Sequence, residues 1–193
     1  MNWEHIYISE LTDEEYSYGL SLMSGERRLK VNNFLYDEDR RRTVAGELLA
    51  RRMISSFTAV PIEEISFAVG KFGKPYVLNS EIQFNVSHSD NVAVCCVDKS
   101  PVGIDVERIR PINHAVLKRV CKDGDCDYIL SGEPCEELSR EQLYRFFEVW
   151  TAKEAYLKRI GTGIRDIKTV SFEEIKSGIK LFELGDYLIS VSL

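Results

Sequence analysis

The chain has 193 residues, 44% of them hydrophobic and 29% charged, and its 25 Lys and Arg against 31 Asp and Glu leave a net charge of −6. That is enough apolar material for one large domain or two small lobes, while no window approaches the ~18 apolar residues of a membrane span. The acidic balance argues against a nucleic-acid binder, whose footprint is basic, and the opening MNWEHIYISELTDEE lacks the basic-then-apolar pattern of a signal peptide.

In chain order, WEHIYIS alternates weakly and reads as a strand. TDEEYSYGLSLM, with Thr12 as N-cap, and ERRLKVNNFL read as helices, followed by a longer helix from Asp37 to Phe57 that Pro61 ends. ISFAVG reads as a short strand and Phe72-Gly73-Lys74-Pro75 as a turn. IQFNVSHS and NVAVCCVD, joined at Ser89-Asp90-Asn91, carry a hairpin signal, and the strand VGIDVERI follows almost at once. Pro111 to Leu138 reads as helical pieces. A strong helix then runs from Ser139 to Ile160, with Ser139 and Gln142 as a capping box and Gly161 and Gly163 as a stop. KTVSFEEI, GIKLFEL and DYLISVSL read as closing strands. Strands and helices in both halves make the class α+β.

Five cysteines, Cys95, Cys96, Cys121, Cys126 and Cys135, form no CxxC pair, and His5, His88 and His114 are scattered. The expectation is a reduced, cytoplasmic protein without a zinc centre. Basic residues gather at Arg27, Arg28 and Lys30, at Arg40, Arg41 and Arg42, at Arg51 and Arg52, at Arg108 and Arg110, at Lys118, Arg119 and Lys122, and at Lys153, Lys158 and Arg159. These are either solvated helix faces or parts of a polyphosphate site, which needs local positive charge whatever the net charge is.

In VGIDVERI the alternation puts Val102, Ile104 and Val106 on one face and Gly103, Asp105 and Glu107 on the other. On the last helix, Leu143, Phe146, Phe147, Trp150 and Leu157 fall on one stripe with Glu154 in its middle and Lys153 and Lys158 on its flanks. A partly dehydrated carboxylate needs a cation or donors. One reading is a structural ion pair. The other gathers Asp105, Glu107 and Glu154 around a divalent cation with room for phosphate oxygens, Lys158 one turn on, and space at Gly103 for a ligand. Ser87-His88-Ser89 ends a strand without a nucleophile elbow; it fits a phosphate donor set or a turn with capping hydroxyls. Lys74 beside Pro75 fits one fixed anion or a decorated turn. No P-loop or GxGxxG is present.

FGKPYV, FNVSHSD, VGIDVERI and WTAKEAYLKRIGTG, in this order and spacing from Phe72 to Gly163, resemble the motifs of 4′-phosphopantetheinyl transferases of the Sfp (surfactin-synthetase-activating) type. The resemblance implies two similar, pseudo-twofold-related α+β lobes, residues 1–100 and 101–193, with coenzyme A in the cleft between them. It implies transfer of the phosphopantetheine arm of coenzyme A to a serine of an apo acyl or peptidyl carrier protein, leaving 3′,5′-ADP. By the same resemblance Asp105, Glu107 and Glu154 hold Mg²⁺, with Mn²⁺ as the alternative. Asp105, Glu154 and Lys158 are the catalytic residues, Glu154 being the candidate base for the serine proton. Arg27, Lys30, Arg42, Thr43, Lys74, Ser87, His88, Lys153 and Lys158 contact coenzyme A. Arg108, Val116, Leu117, Arg119 and Val120 dock the acidic carrier. A cytoplasmic monomer without nucleic-acid or membrane partners is implied. A coenzyme A-binding module without catalysis, or another metal-dependent phosphoesterase, are the competing readings.

Overall fold

The computed structural model describes residues 1–122, 124–132, 137–162 and 164–193; Gly163 and Cys135 lie outside the described residues. The strands are β1 (Asn2–Tyr7), β2 (Phe67–Val69), β3 (Pro75–Val77), β4 (Gln83–Ser89), β5 (Val92–Asp98), β6 (Gly103–Arg108), β7 (Ile179–Leu184) and β8 (Tyr187–Ser192). The helices are α1 (Asp13–Leu22), α2 (Gly25–Asn32), α3 (Asp37–Thr58), α4 (His114–Val120), α5 (Asp125–Leu130), α6 (Arg140–Ile160) and α7 (Phe172–Ile175). The mixture of helix and sheet is α+β. No helix among the described residues is long and apolar enough to cross a membrane.

β1, β5 and β4 form an antiparallel sheet in the order β1-β5-β4, and β6, β8 and β7 form a second in the order β6-β8-β7. The first sheet is built from a strand, the long helix α3 and a hairpin; the second from a strand, the long helix α6 and a hairpin. In each, the second strand of the hairpin lies in the middle.

β5 explains why VAVCCV reads as an unbroken apolar run. Ala93, Cys95 and Val97 pack with residues of α3, whereas Val92, Val94 and Cys96 join Val102, Ile104, Val106, Ile189 and Val191 in a core between the two sheets. A strand buried on both faces has no polar alternation. A further core, centred on Phe146, Phe147, Ile129 and Leu157, lies where α4, α5 and α7 cover α6.

The local signals mostly hold. Thr12 with Glu15 and Ser139 with Gln142 form capping boxes, and α6 ends at Gly161 in the left-handed region (φ 73°). KTVSFEEI departs from the expected strand. Its first two residues end a 3₁₀ turn (Ile164–Thr169) and its last four form the short helix α7. Ser171 and Glu174 form a capping box there, and Phe172 and Ile175, three apart, are both buried.

Candidate active site

The site begins where the edge strands β4 and β6 run side by side. They exchange no ladder of backbone hydrogen bonds. Alternate side chains of β4 bridge instead: Asn85 Oδ1 accepts from the Ile104 N–H (3.0 Å), Ser87 Oγ donates to Asp105 Oδ1 (2.7 Å), and Ser89 Oγ donates to Glu107 Oε2 (2.8 Å). The period of two in Asn85, Ser87 and Ser89 is what a strand needs to present three polar groups to one neighbour.

α6 packs on the face of β6 that carries Gly103 and Asp105. Its approach is close because Gly103 has no side chain: a Cβ there would lie 2.0 Å from the Ala155 carbonyl oxygen and 2.5 Å from the Arg159 nitrogen. The space expected for a ligand at Gly103 is thus occupied by helix backbone. This packing delivers Glu154 and Lys158 to the strand. Lys158 Nζ lies 2.5 Å from Asp105 Oδ1, 2.9 Å from Ser87 Oγ and 3.5 Å from Glu154 Oε2. Trp150 Nε1 donates to Glu154 Oε1 (2.7 Å), which orients the carboxylate one turn along its own helix.

Asp105 and Glu154 are buried and Glu107 half-buried. Burial pushes the Asp105 carboxyl above its ordinary range, against the pull of Lys158. Burial raises Glu107 too, with Glu154 adding to it, and raises Glu154, with Asp105 adding. Burial works against the Lys158 charge, but Asp105 and Glu154 outweigh it and hold the ammonium above its usual value. The junction therefore concentrates three carboxylates against one lysine, and Asp105 Oδ2 is buried without a hydrogen-bond partner. A divalent cation with hard oxygen ligands fits that donor set and would satisfy the orphaned oxygen. Among the described residues no three His, Cys, Asp or Glu side chains are already gathered as a metal cage.

The other predicted residues divide into three groups. His88, on the opposite face of β4 from Ser87, keeps part of its surface open, but protein crowded around the ring, with the Lys158 and Arg42 cations adding, lowers its imidazole pKa, which favours the neutral ring. Arg42 donates to the Asp90 carbonyl (2.8 Å) and pairs with Asp39 (2.6 Å), and Thr43 bonds the Asp39 carbonyl (2.9 Å), so these α3 residues border the same end of β4. Lys74 caps the end of α6 through the Arg159 carbonyl (3.0 Å) and the Val102 carbonyl (3.4 Å), and burial lowers its pKa.

A second group is engaged inside the protein. Arg27 pairs with Glu47 (2.8 Å), whereas Lys30 is exposed. Arg51 is buried on Glu47 and on the Leu22, Ile62 and Ile65 carbonyls, Arg52 pairs with Glu15, Arg41 with Asp13, and Arg40 bonds the Phe34 carbonyl. Much of the basic clustering on α3 thus fastens the helices around it, and Ser87 is committed to Asp105 and Lys158.

The third group is displaced from its expected role. Lys153 is fully buried, about 100° around α6 from its neighbour Glu154. It pairs with Asp125 (2.5 Å) and donates to the Val120 carbonyl (2.9 Å), so its ammonium is spent inside the protein and has no surface open to a ligand. Leu117 and Val120 are buried in the α6 core and offer no docking surface, because a helix lying on a core turns its apolar residues inward. Val116 is half-buried, Arg119 is exposed, and Arg108 pairs with Asp90 (2.5 Å). Sequence reasoning missed Asn85, Trp150 and Asp125. The first two had a signal, in the alternation along β4 and the four-residue spacing to Glu154; Asp125 sits in a stretch without periodicity.

Replacing Ser87 by Ala removes a donor to the buried Asp105 and an acceptor for the half-buried Lys158. The expected cost is about 1–3 kcal/mol, read as a lower urea midpoint with an unchanged slope.

Residues 10–100 match the family model described as 4′-phosphopantetheinyl transferase, N-terminal, and residues 101–188 that of the 4′-phosphopantetheinyl transferase superfamily. The chain is 32% identical over 161 residues to the 4′-phosphopantetheinyl transferase Sfp of Bacillus subtilis, covering 82% of this chain and 70% of that protein. It is 40% identical over 143 residues to psf-1 of Bacillus pumilus (74% and 59%) and 33% identical over 156 residues to gsp of Aneurinibacillus migulanus (81% and 63%), both likewise named 4′-phosphopantetheinyl transferases. The chain thus spans about three-fifths of the length of the latter two relatives.

Proposed function

Since the chain belongs to the 4′-phosphopantetheinyl transferase superfamily, we propose that it moves the phosphopantetheine arm of coenzyme A onto a serine of an apo acyl or peptidyl carrier protein, releasing 3′,5′-ADP. The observation that carries this reading is the junction at which Ser87, Asp105, Lys158 and Glu154 meet between two sheets of matching topology. The repeated order of strand, helix and hairpin supports two pseudo-twofold-related lobes, residues 1–100 and 101–193, with the cofactor cleft along their seam.

In this reading Asp105, Glu107 and Glu154 hold Mg²⁺, which, when bound, offsets negative charge on the diphosphate. The carrier serine Oγ forms a bond to the β-phosphorus of coenzyme A, and the bond from that phosphorus to the oxygen of the departing 3′,5′-ADP breaks. Glu154, aimed by Trp150, takes the serine proton. Lys158 stabilises the charge growing on the leaving phosphate. Because the nucleophile arrives on the partner, a Ser-His-Asp set is not required. His88, Lys74, Arg42, Thr43 and Lys30 line the approach for the nucleotide end, and Arg27 supports α3 through Glu47. Arg119 with Val116 offers a basic and apolar contact for an acidic carrier. In this reading the enzyme is a cytoplasmic monomer, because a cleft between two lobes of one chain needs no second subunit.

Incubation with coenzyme A, Mg²⁺ and a panel of apo carriers, followed by intact-mass measurement, tests this. A gain of one phosphopantetheine group that is abolished by EDTA and restored by Mg²⁺ is expected. No gain on any acyl or peptidyl carrier would refute the transfer, and release of phosphopantetheine without a carrier would favour a phosphoesterase.

A further inference from the structure

Lys153 and Glu154 are neighbours on α6, and at about 100° per residue they serve different walls of the molecule. Glu154 meets β6. Lys153, with no exposed surface, meets a hub that joins three elements covering the other side of the helix, α4, α5 and α7. Its Nζ donates to the carbonyl of Val120, the last residue of α4, and to Asp125 Oδ2, at the first residue of α5. The same Asp125 Oδ2 accepts the Lys122 N–H (2.7 Å), closing the connection between α4 and α5. Asp125 Oδ1 accepts the Phe172 N–H (3.0 Å) at the start of α7. Four segments are therefore indexed to one buried ion pair.

Such a pair is a weak source of stability, because desolvating two charges costs about as much as their attraction returns, and an apolar pair of similar size often serves as well. What an ion pair with directed hydrogen bonds does provide is a defined position. Here the position is that of α4. Leu117 and Val120 point into the core and place Lys118 and Arg119 outward, as an exposed basic face suited to an acidic partner.

We infer that the buried Lys153–Asp125 pair is a positioning device that sets the basic face of α4 relative to the turn of α6 carrying Glu154, and so determines where an acidic carrier protein docks with respect to the reacting centre. This inference rests on the carrier-transfer reading above. Lys153 acts through α4 and touches neither coenzyme A nor the carrier.

The test compares the whole protein with the charge-free pair Lys153→Met/Asp125→Asn, in which the single Asn amide oxygen can still accept from one of the two backbone N–H groups, that of Lys122 or that of Phe172. The single Lys153→Met leaves a buried carboxylate unpaired and is the less stable of the two. In the double variant the KM for the apo carrier is expected to rise about ten-fold, since small displacements of a positioning element cost one to two orders of magnitude. The Kd for coenzyme A, from calorimetry, stays within about two-fold, and amides at the C-terminal end of α4 exchange with solvent about ten-fold faster. An unchanged carrier KM, or an equal loss of coenzyme A affinity, overturns the inference, because a merely structural pair would spare the first or damage both. If the wild-type chain modifies no carrier, the transfer reading fails. Amide exchange then still decides whether the pair fixes α4: wild-type rates in the double variant refute it.

Discussion

Glu154→Gln is expected to lower kcat/KM for carrier modification by at least about 100-fold, the usual loss when one preorganised charge or proton acceptor is removed from a reacting centre. The substitution preserves shape. Gln can still accept from Trp150 Nε1 through its amide oxygen, and Lys158 keeps its shorter contact with Asp105. Burial and the nearby Asp105 already disfavour the charge on Glu154 in the folded chain, so neutralising it leaves little stability to lose. A melting temperature within a few degrees of wild type is expected. Transfer within about five-fold of wild type would remove Glu154 from the reacting centre, since no group that accepts the serine proton or holds the metal is so dispensable.

Gly103→Ala should produce the largest loss of stability. The added methyl would meet the Ala155 carbonyl oxygen at 2.0 Å, the Arg159 nitrogen at 2.5 Å and the Arg159 Cα at 3.0 Å. All three belong to helix backbone, which cannot rotate away as a side chain could. α6 must move bodily off β6, carrying Glu154 and Lys158 with it and opening the core on its other face. Overpacking of this kind costs about 3 kcal/mol, which corresponds to a fall of roughly 10 °C in melting temperature for a chain of this size. Activity should fall together with stability. A variant that melts with wild type would mean that the helix and strand are not held in contact as described.

How much of the site was legible follows from the range of the forces involved. Asp105 and Glu154 stood out because each places a charge on a face that periodicity marks as dry, and the cost of dehydrating a carboxylate holds in any fold. The helix α6 announced both ends through Ser139, Gln142 and Gly161. α7 carried a signal of its own, Ser171 with Glu174, which outweighed the β-branched residues before it. Lys153 was misplaced because a flank position on a helical projection does not say what covers that flank. Its partner Asp125 comes from 28 residues away. The arginine runs of α3 looked like phosphate ligands because composition cannot distinguish a guanidinium facing solvent from one facing a helix end or a carbonyl. Arg51 and Glu47, four apart on one helix, were the readable exception.

The sequence by itself determined the local elements, the faces they bury and the identity of the charged residues that needed partners, because capping, periodicity and desolvation act within a few residues. Tertiary structure decided which partners those residues have. Ser87 reaches Asp105 across 18 residues, Lys158 reaches Asp105 across 53, and Lys158 reaches Ser87 across 71. Those contacts exist because β4 and β6 abut edge to edge under a helix that Gly103 lets approach, and hydrogen bonds, which act only over about 3 Å, are made only once that packing has brought the strands together.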